Sequence, residues 1–209
     1  MTLPKGNILK SIETPRLIMR HHTHDDFDAY VEVEQHSAKE LSPWFGWINS
    51  EQGYNNRAEI KKYFSYLDEL NSNDNPKQLH FFIFEKQSNQ FIGTLLFFRV
   101  DWDIPYFYLA YWLDTRKSGN GYMTEATNAL SRFCFRVYGA KRIQISASVK
   151  NQKSLNVPRR LHFTLEGELK NYSMHLVTQE VTNSLMYACL SPDTLPPLEC
   201  HWEIQEGHQ

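Results

Sequence analysis

The 209-residue chain has few cysteines, no long apolar run and almost no net charge, and each shortage removes a class of function. A formal charge of −2 and a pI near 6.5 give no field to attract a polyanion, and no block of five or more basic residues occurs. Nucleic acid is therefore not expected as a partner. Apolar runs such as YFYLAYWL stop well short of the ~20 residues that cross a bilayer. The N-terminus has no apolar signal core. The expectation is a cytoplasmic protein with no membrane partner. The three cysteines, Cys134, Cys189 and Cys200, form no C-x-x-C pair, and an odd number argues against a disulfide framework. The terminal ECHWEIQEGHQ brings Cys, His and Glu together without ligand spacing, so no metal is expected. With no internal repeat or low-complexity linker, the sequence implies a single domain over residues 1–190 and a tail over 191–209.

What is present is periodic. RLIMRHH has the pattern of a short strand, and THDDFDAYVEVEQ of a helix capped by Thr23 or Asp25. In NNRAEIKKYFSYLDEL, Ile60, Tyr63, Phe64, Leu67 and Leu70 recur at helical spacing. Three runs rich in aromatic and branched residues, QLHFFIFEK, QFIGTLLFFRV and PYFYLAYWLD, predict an antiparallel meander. Tyr122, Ala126, Ala129, Leu130, Phe133 and Val137 then mark one face of a helix that Gly139 stops. KRIQISASV is a strand, NQKSLNVPRRL a short helix, and FTLEGELKN with VTNSLMYACL a closing strand pair. The fold class is α+β, a mixed and mostly antiparallel central sheet of about seven strands with flanking helices. The strand-helix-strand unit in its middle requires one parallel pair.

Chemistry concentrates at RKSGNGYMTEA. A helix N-terminus offers backbone N–H groups without internal partners and a partial positive charge, which suits a phosphate oxygen. Gly119 and Gly121 leave the backbone bare there, and Asn120 tolerates unusual dihedral angles. No G-x-x-x-x-G-K-[ST] occurs, and Thr124 replaces the third glycine of G-x-G-x-x-G, so neither a P-loop nor a Rossmann fingerprint is present. From spacing alone the segment is either an anion site or a plain tight turn.

RKSGNG matches R/Q-x-x-G-x-G/A, and in this setting the chain resembles the acetyl-CoA-dependent N-acetyltransferases of the GNAT superfamily. YWLDTRKSGNGYMTEA, NQKSLNVPRRLHFTLEGELKN and PRLIMRHHTHDDFDAY together are similar to the branch holding the ribosomal-protein N-terminal acetyltransferases, over residues 14 to 190. The resemblance implies acetyl-CoA as cosubstrate. Its pyrophosphate would lie on backbone N–H groups from Lys117, Ser118, Gly119, Asn120, Gly121 and Tyr122 to Met123, with Arg116 or Lys117 adding charge. The pantetheine arm would lie beside Ala110 to Leu113, between strands that splay apart, with the amide of Trp112 or Leu113 facing the thioester carbonyl. Asn151 would bond the arm and Ser154 would stand near the sulfur. On the residues alone, Asn151 equally caps the following helix and Ser154 is a surface residue. Glu125 is read as a first-turn acid that stabilises the helix dipole.

Three positions depart from the family pattern. Where relatives carry a strand glutamate able to act on the amine, this chain has Tyr108, a phenol suited to relay or position rather than to act as base. Asp101, Asp103, Glu85 and His80 are the other polar candidates, each also explicable as a strand-end or core polar group. His162 replaces a glycine, and Pro158 falls inside the short helix. Trp44, Phe45, Trp47 and Tyr54 form either an acceptor wall or a satellite cluster. The implied reaction is acetyl transfer to a primary amine, a protein N-terminus or a small molecule, assisted by Ser154 or Tyr108. The alternatives are a non-catalytic acyl-CoA-binding module and an interaction domain without cofactor. The oligomeric expectation is a monomer or homodimer.

Overall fold

A computed structural model describes residues 8–46, 57–73 and 76–205. Strands β1 (Ile8–Glu13) and β2 (Leu17–Arg20) lead to helices α1 (Phe27–Leu41) and α2 (Arg57–Asn71). The meander β3 (Leu79–Glu85), β4 (Gln90–Asp101) and β5 (Tyr106–Leu113) follows, then α3 (Tyr122–Arg136), β6 (Arg142–Ser148) and α4 (Gln152–Arg160). Strands β7 (Thr164–His175), β8 (Glu180–Cys189) and β9 (His201–Gln205) complete the order. All nine strands join one sheet, β7-β8-β6-β5-β4-β3-β2-β1-β9. Every neighbouring pair is antiparallel except β5 and β6.

The expected class holds, with nine strands in place of about seven. The two additional ones are β1 and β9, and they pair with each other at one edge. A register shift between Leu9 and Ser11 interrupts the alternation of β1, so its two fully buried side chains, Leu9 and Ile12, fall three residues apart. A bulge thus hides the period-two signal. The segment expected as a tail carries β9, whose Trp202 and Ile204 pack against the core from alternate positions. Five residues are too few for that alternation to stand out in sequence.

Both faces of the central sheet are covered. Phe81 and Ile83 of β3 join the core beneath α3, with Ala126, Leu130 and Phe133, while Phe82 and Phe84 join Tyr30, Phe64 and Trp112 beneath α1 and α2. This is why β3 is apolar on both faces, each such side chain contributing roughly 1.5–3 kcal/mol on burial. Asp26 fixes the approach to α1 by accepting from the backbone N–H of Thr23 at 2.7 Å and from its hydroxyl at 3.0 Å. Gly139, at φ 65°, ends α3, and the Ala140 N–H closes onto Cys134 O at 3.0 Å.

Among the described residues no helix is long and apolar enough to cross a membrane, and no cluster of three His, Cys, Asp or Glu side chains is placed to hold a metal.

Candidate active site

The parallel ladder between β5 and β6 holds only Tyr106, Phe107 and Tyr108 against Arg142, Ile143 and Gln144. Beyond Tyr108 the strands part, although β5 remains paired to β4 and β6 to β8. A register shift in β4 between Phe97 and Arg99 lies opposite Leu109 and Tyr108, at the point of divergence. A bulge there bends β4 together with its partner and opens the gap.

A cleft of about 280 Å³ occupies this region. Tyr111 to Leu113 form one wall, Ser118, Gly119, Gly121 and Tyr122 its end, and Asn151 with Ser154 the opposite wall. Trp44 and Phe45 also face it. Trp47 and Tyr54 lie outside the described residues. Trp44 packs edge-on to His175 at 5.2 Å, and the Leu176 N–H donates to Pro43 O at 3.0 Å. The hairpin joining β7 to β8 therefore touches the loop after α1.

The glycine turn enters α3 with both glycines in the left-handed region, Gly119 at φ 85° and Gly121 at φ 77°. A Cβ on Gly119 would meet nothing within 4 Å, so the turn is open towards the cleft. Its charged side chains are already engaged. Arg116 grips Asp114 through Nε and Nη2 and reaches Glu32 at 2.7 Å, and these carboxylates hold its guanidinium well above its ordinary pKa. Lys117 pairs with Glu85 at 2.9 Å. Arg116 and Lys117, expected to add charge here, are both paired with carboxylates and are not among the residues that line the cleft.

Arg16 was not anticipated at this turn. It donates to Asn120 O at 2.9 Å, lies 4.7 Å over the Tyr122 ring and pairs with Glu125 at 2.6 Å. Glu125 also accepts from the Thr14 hydroxyl at 2.6 Å. The carboxylate thus ties the first turn of α3 to the loop between β1 and β2, in addition to the helix-dipole role expected of it. The only sequence signal for Arg16 is its place before the LIM strand.

Just past the end of β5, the Asp114 N–H donates to Ile92 O of β4 at 2.8 Å. The Trp112 carbonyl also faces β4, where a Cβ on Gly93 would lie 2.4 Å from it. Because backbone polar groups alternate in direction along a strand, the Leu113 N–H points away from β4, into the gap.

Across the gap, Asn151 Oδ1 accepts the Ser154 N–H at 3.1 Å, which makes it the N-cap of α4. Capping occupies the carbonyl oxygen and not the amide nitrogen. His162 takes φ 58° with Nδ1 3.2 Å from Thr194 O, so histidine does occupy a left-handed position where relatives have glycine. Tyr108 and Ser154 are not brought together. Tyr108 hydrogen-bonds Ser146 and stacks 4.1 Å from Phe98, whereas Ser154 meets Tyr111, whose side chain leaves the opposite face of β5.

The polar candidates of the meander serve the framework. Asp101 caps a turn through the N–H groups of Asp103 and Ile104, and these bonds lower its pKa. Glu85 is held down to about 2 by hydrogen bonds from Ser88, Tyr122 and Lys117. Burial depresses His80 to about 4, leaving a neutral ring beside the Tyr63 hydroxyl at 3.0 Å. None of these lines the cleft.

Residues 16–164 match the model of the acetyltransferase (GNAT) domain, and the chain belongs to that family. It is 26% identical over 151 residues to the probable N-acetyltransferase YjcK of Bacillus subtilis (strain 168), across 71% of this chain and 80% of that protein. Among solved structures it is similar to the ribosomal L7/L12 α-N-protein acetyltransferase in complex with coenzyme A. That likeness has 25% identity and a TM-score of 0.77, over 87% of this chain and 98% of the other. The fold is also that of the microcin C7 self-immunity acetyltransferase in complex with acetyl-CoA and AMP, with TM-score 0.73, 22% identity, and 85% and 93% coverage. The protein is an acetyl-CoA-dependent N-acetyltransferase with acetyl-CoA as its cosubstrate.

Proposed function

We propose that this enzyme acetylates a protein or peptide N-terminal α-amine by direct attack in a ternary complex. The observation that carries the reading is the gap beyond Tyr108, bounded by one bare strand edge on each side and closed by the glycine turn. The pyrophosphate rests on the N–H groups at the start of α3, and the pantetheine amides run beside β5 in the place of a missing strand. Asn151 offers its Nδ2 donors to the arm. The amine nitrogen bonds to the thioester carbon, the carbon–sulfur bond breaks, the amine loses one proton and the sulfur gains one. Leu113 N–H faces the oxygen on which negative charge develops. Ser154, at the head of α4, directs its hydroxyl to the departing sulfur.

The choice of acceptor follows from the side chains. The meander carboxylates Glu85 and Asp101 are committed to hydrogen bonds away from the cleft, and Glu40, which does line it, is paired with Lys153 at 3.1 Å. An α-amine, whose pKa is near 8, is largely available uncharged without a strong base, whereas a lysine near 10.4 is not. The likeness to an α-N-protein acetyltransferase supports the same choice.

The test is calorimetric titration of acetyl-CoA into wild type and Gly119→Glu, followed by thiol release with N-terminal peptides, lysine-containing N-blocked peptides and small amines. Saturable binding lost in the variant, with turnover of free N-termini, is the expected result. Turnover of small amines alone would move the acceptor to a small molecule. Binding without turnover across the panel would overturn the acceptor assignment.

A further inference from the structure

Pro158 lies within α4 and has no N–H to give to the carbonyl four residues earlier, which belongs to Ser154. A carbonyl left without a donor inside a fold is destabilising. Here a side chain from another element supplies the donor: the Tyr111 hydroxyl reaches Ser154 O at 2.9 Å. The same phenol oxygen accepts from the Ser154 hydroxyl at 3.4 Å. Tyr111 therefore holds Ser154 twice, by backbone and by side chain, at the wall of the cleft.

We propose that Tyr111 is the positioning residue for Ser154, using the hydrogen bond vacated by Pro158 to fix the head of α4 against β5 and to aim the Ser154 hydroxyl along the cleft. The inference rests on the proposed role of Ser154 and adds the device that sets its geometry. The two bonds differ in a useful way. The 2.9 Å bond is of ordinary strength and anchors the backbone, whereas the 3.4 Å contact is long for O–H···O and is broken at little cost. The Ser154 hydrogen can thus turn from Tyr111 to a sulfur while the backbone stays in place. Burial raises the Tyr111 pKa, which keeps the phenol protonated as a donor through the neutral range. Alternation along β5 requires a residue of odd number to reach α4, so Tyr108, on the other face, cannot substitute.

The proline makes the inference testable, because its replacement restores the missing backbone donor. Tyr111→Phe is expected to lower kcat about 10- to 100-fold with less than about a threefold change in acetyl-CoA Kd. In Tyr111→Phe/Pro158→Ala the new N–H satisfies Ser154 O, so thermal stability should recover while kcat stays low. Tyr111→Phe added to Ser154→Ala should cost little more than Ser154→Ala alone. Recovery of kcat together with stability in the double variant would reduce Tyr111 to a carbonyl partner and overturn the inference. Multiplicative effects of the two hydroxyl deletions would do the same. Absence of acetyl-CoA binding by the wild type would instead defeat the functional reading itself. Normal turnover by Tyr111→Phe in an active enzyme would defeat only this one.

Discussion

The two ends of the cleft are built on opposite electrostatic plans. At the glycine turn, charge is abundant and already matched: Arg16 with Glu125, Lys117 with Glu85, Arg116 with Asp114 and Glu32. Beside Ser154 the hydrogen-bonded groups are neutral hydroxyls, amides and phenols, Tyr111, Ser154 and Asn151, while the charged Glu40, Lys153 and Arg160 also line the cleft. On the proposed reading, the first end leaves the cosubstrate's phosphates to backbone N–H groups, since its cations are already paired.

The largest expected disturbance falls on the neutral end, through backbone. A Cβ on Gly93 would stand 2.4 Å from Trp112 O and 2.9 Å from Leu113 Cα, both main-chain atoms. Gly93→Ala should cost about 2–4 kcal/mol in denaturant unfolding. It should also slow turnover by displacing the Leu113 N–H; an unchanged unfolding midpoint would show that β4 and β5 yield without cost.

The next effect concerns a carboxyl in the apolar layer beneath α1. Glu34 is 2% exposed, neither oxygen has a partner among the described residues, and burial raises its pKa from 4.5 to about 8. The folded state then retains a proton that the unfolded state has released. Stability from this group is present below pH 4.5 and is lost as pH rises towards 8. Glu34→Gln should flatten that slope and stabilise the protein at pH 8 by on the order of 2 kcal/mol. Parallel slopes for wild type and variant would mean the carboxyl finds water or a partner in solution.

At the charged end, smaller effects are expected because the cations do not enter the cleft. Arg16→Ala removes the bond to Asn120 O and half of an ion pair, and should weaken acetyl-CoA binding roughly fivefold with kcat unchanged at saturation. Lys117→Ala should change binding less than about threefold. A tenfold loss there would indicate that Lys117 releases Glu85 and turns to the phosphates, which would narrow the contrast between the ends.

The charged end was the more legible in sequence. Two glycines between a strand and a helix state a backbone conformation, and both do adopt positive φ. What their flanking cations bind was not legible, because Glu32, Glu85 and Glu125 come from distant elements. At the neutral end, Asn151 was visible as a helix cap and Ser154 through the family resemblance, but Tyr111 was hidden inside an aromatic strand, where every second residue has the same apparent claim. The clue lay in combining strand alternation with Pro158 four residues after Ser154. The outer strands were missed for a simpler reason: a bulge in β1 and the shortness of β9 erase the periodicity by which strands are found.

The pairing of β1 with β9 has a consequence for how the molecule is made. Lys10 meets Glu203 across 193 positions, so β1 waits for β9 before its outer edge is covered. Closing so long a span carries a large entropic cost and comes after the local meander has formed. During synthesis β1 therefore presents an open template to other emerging chains until β9 covers it, and β9 acts as a built-in guard against that encounter.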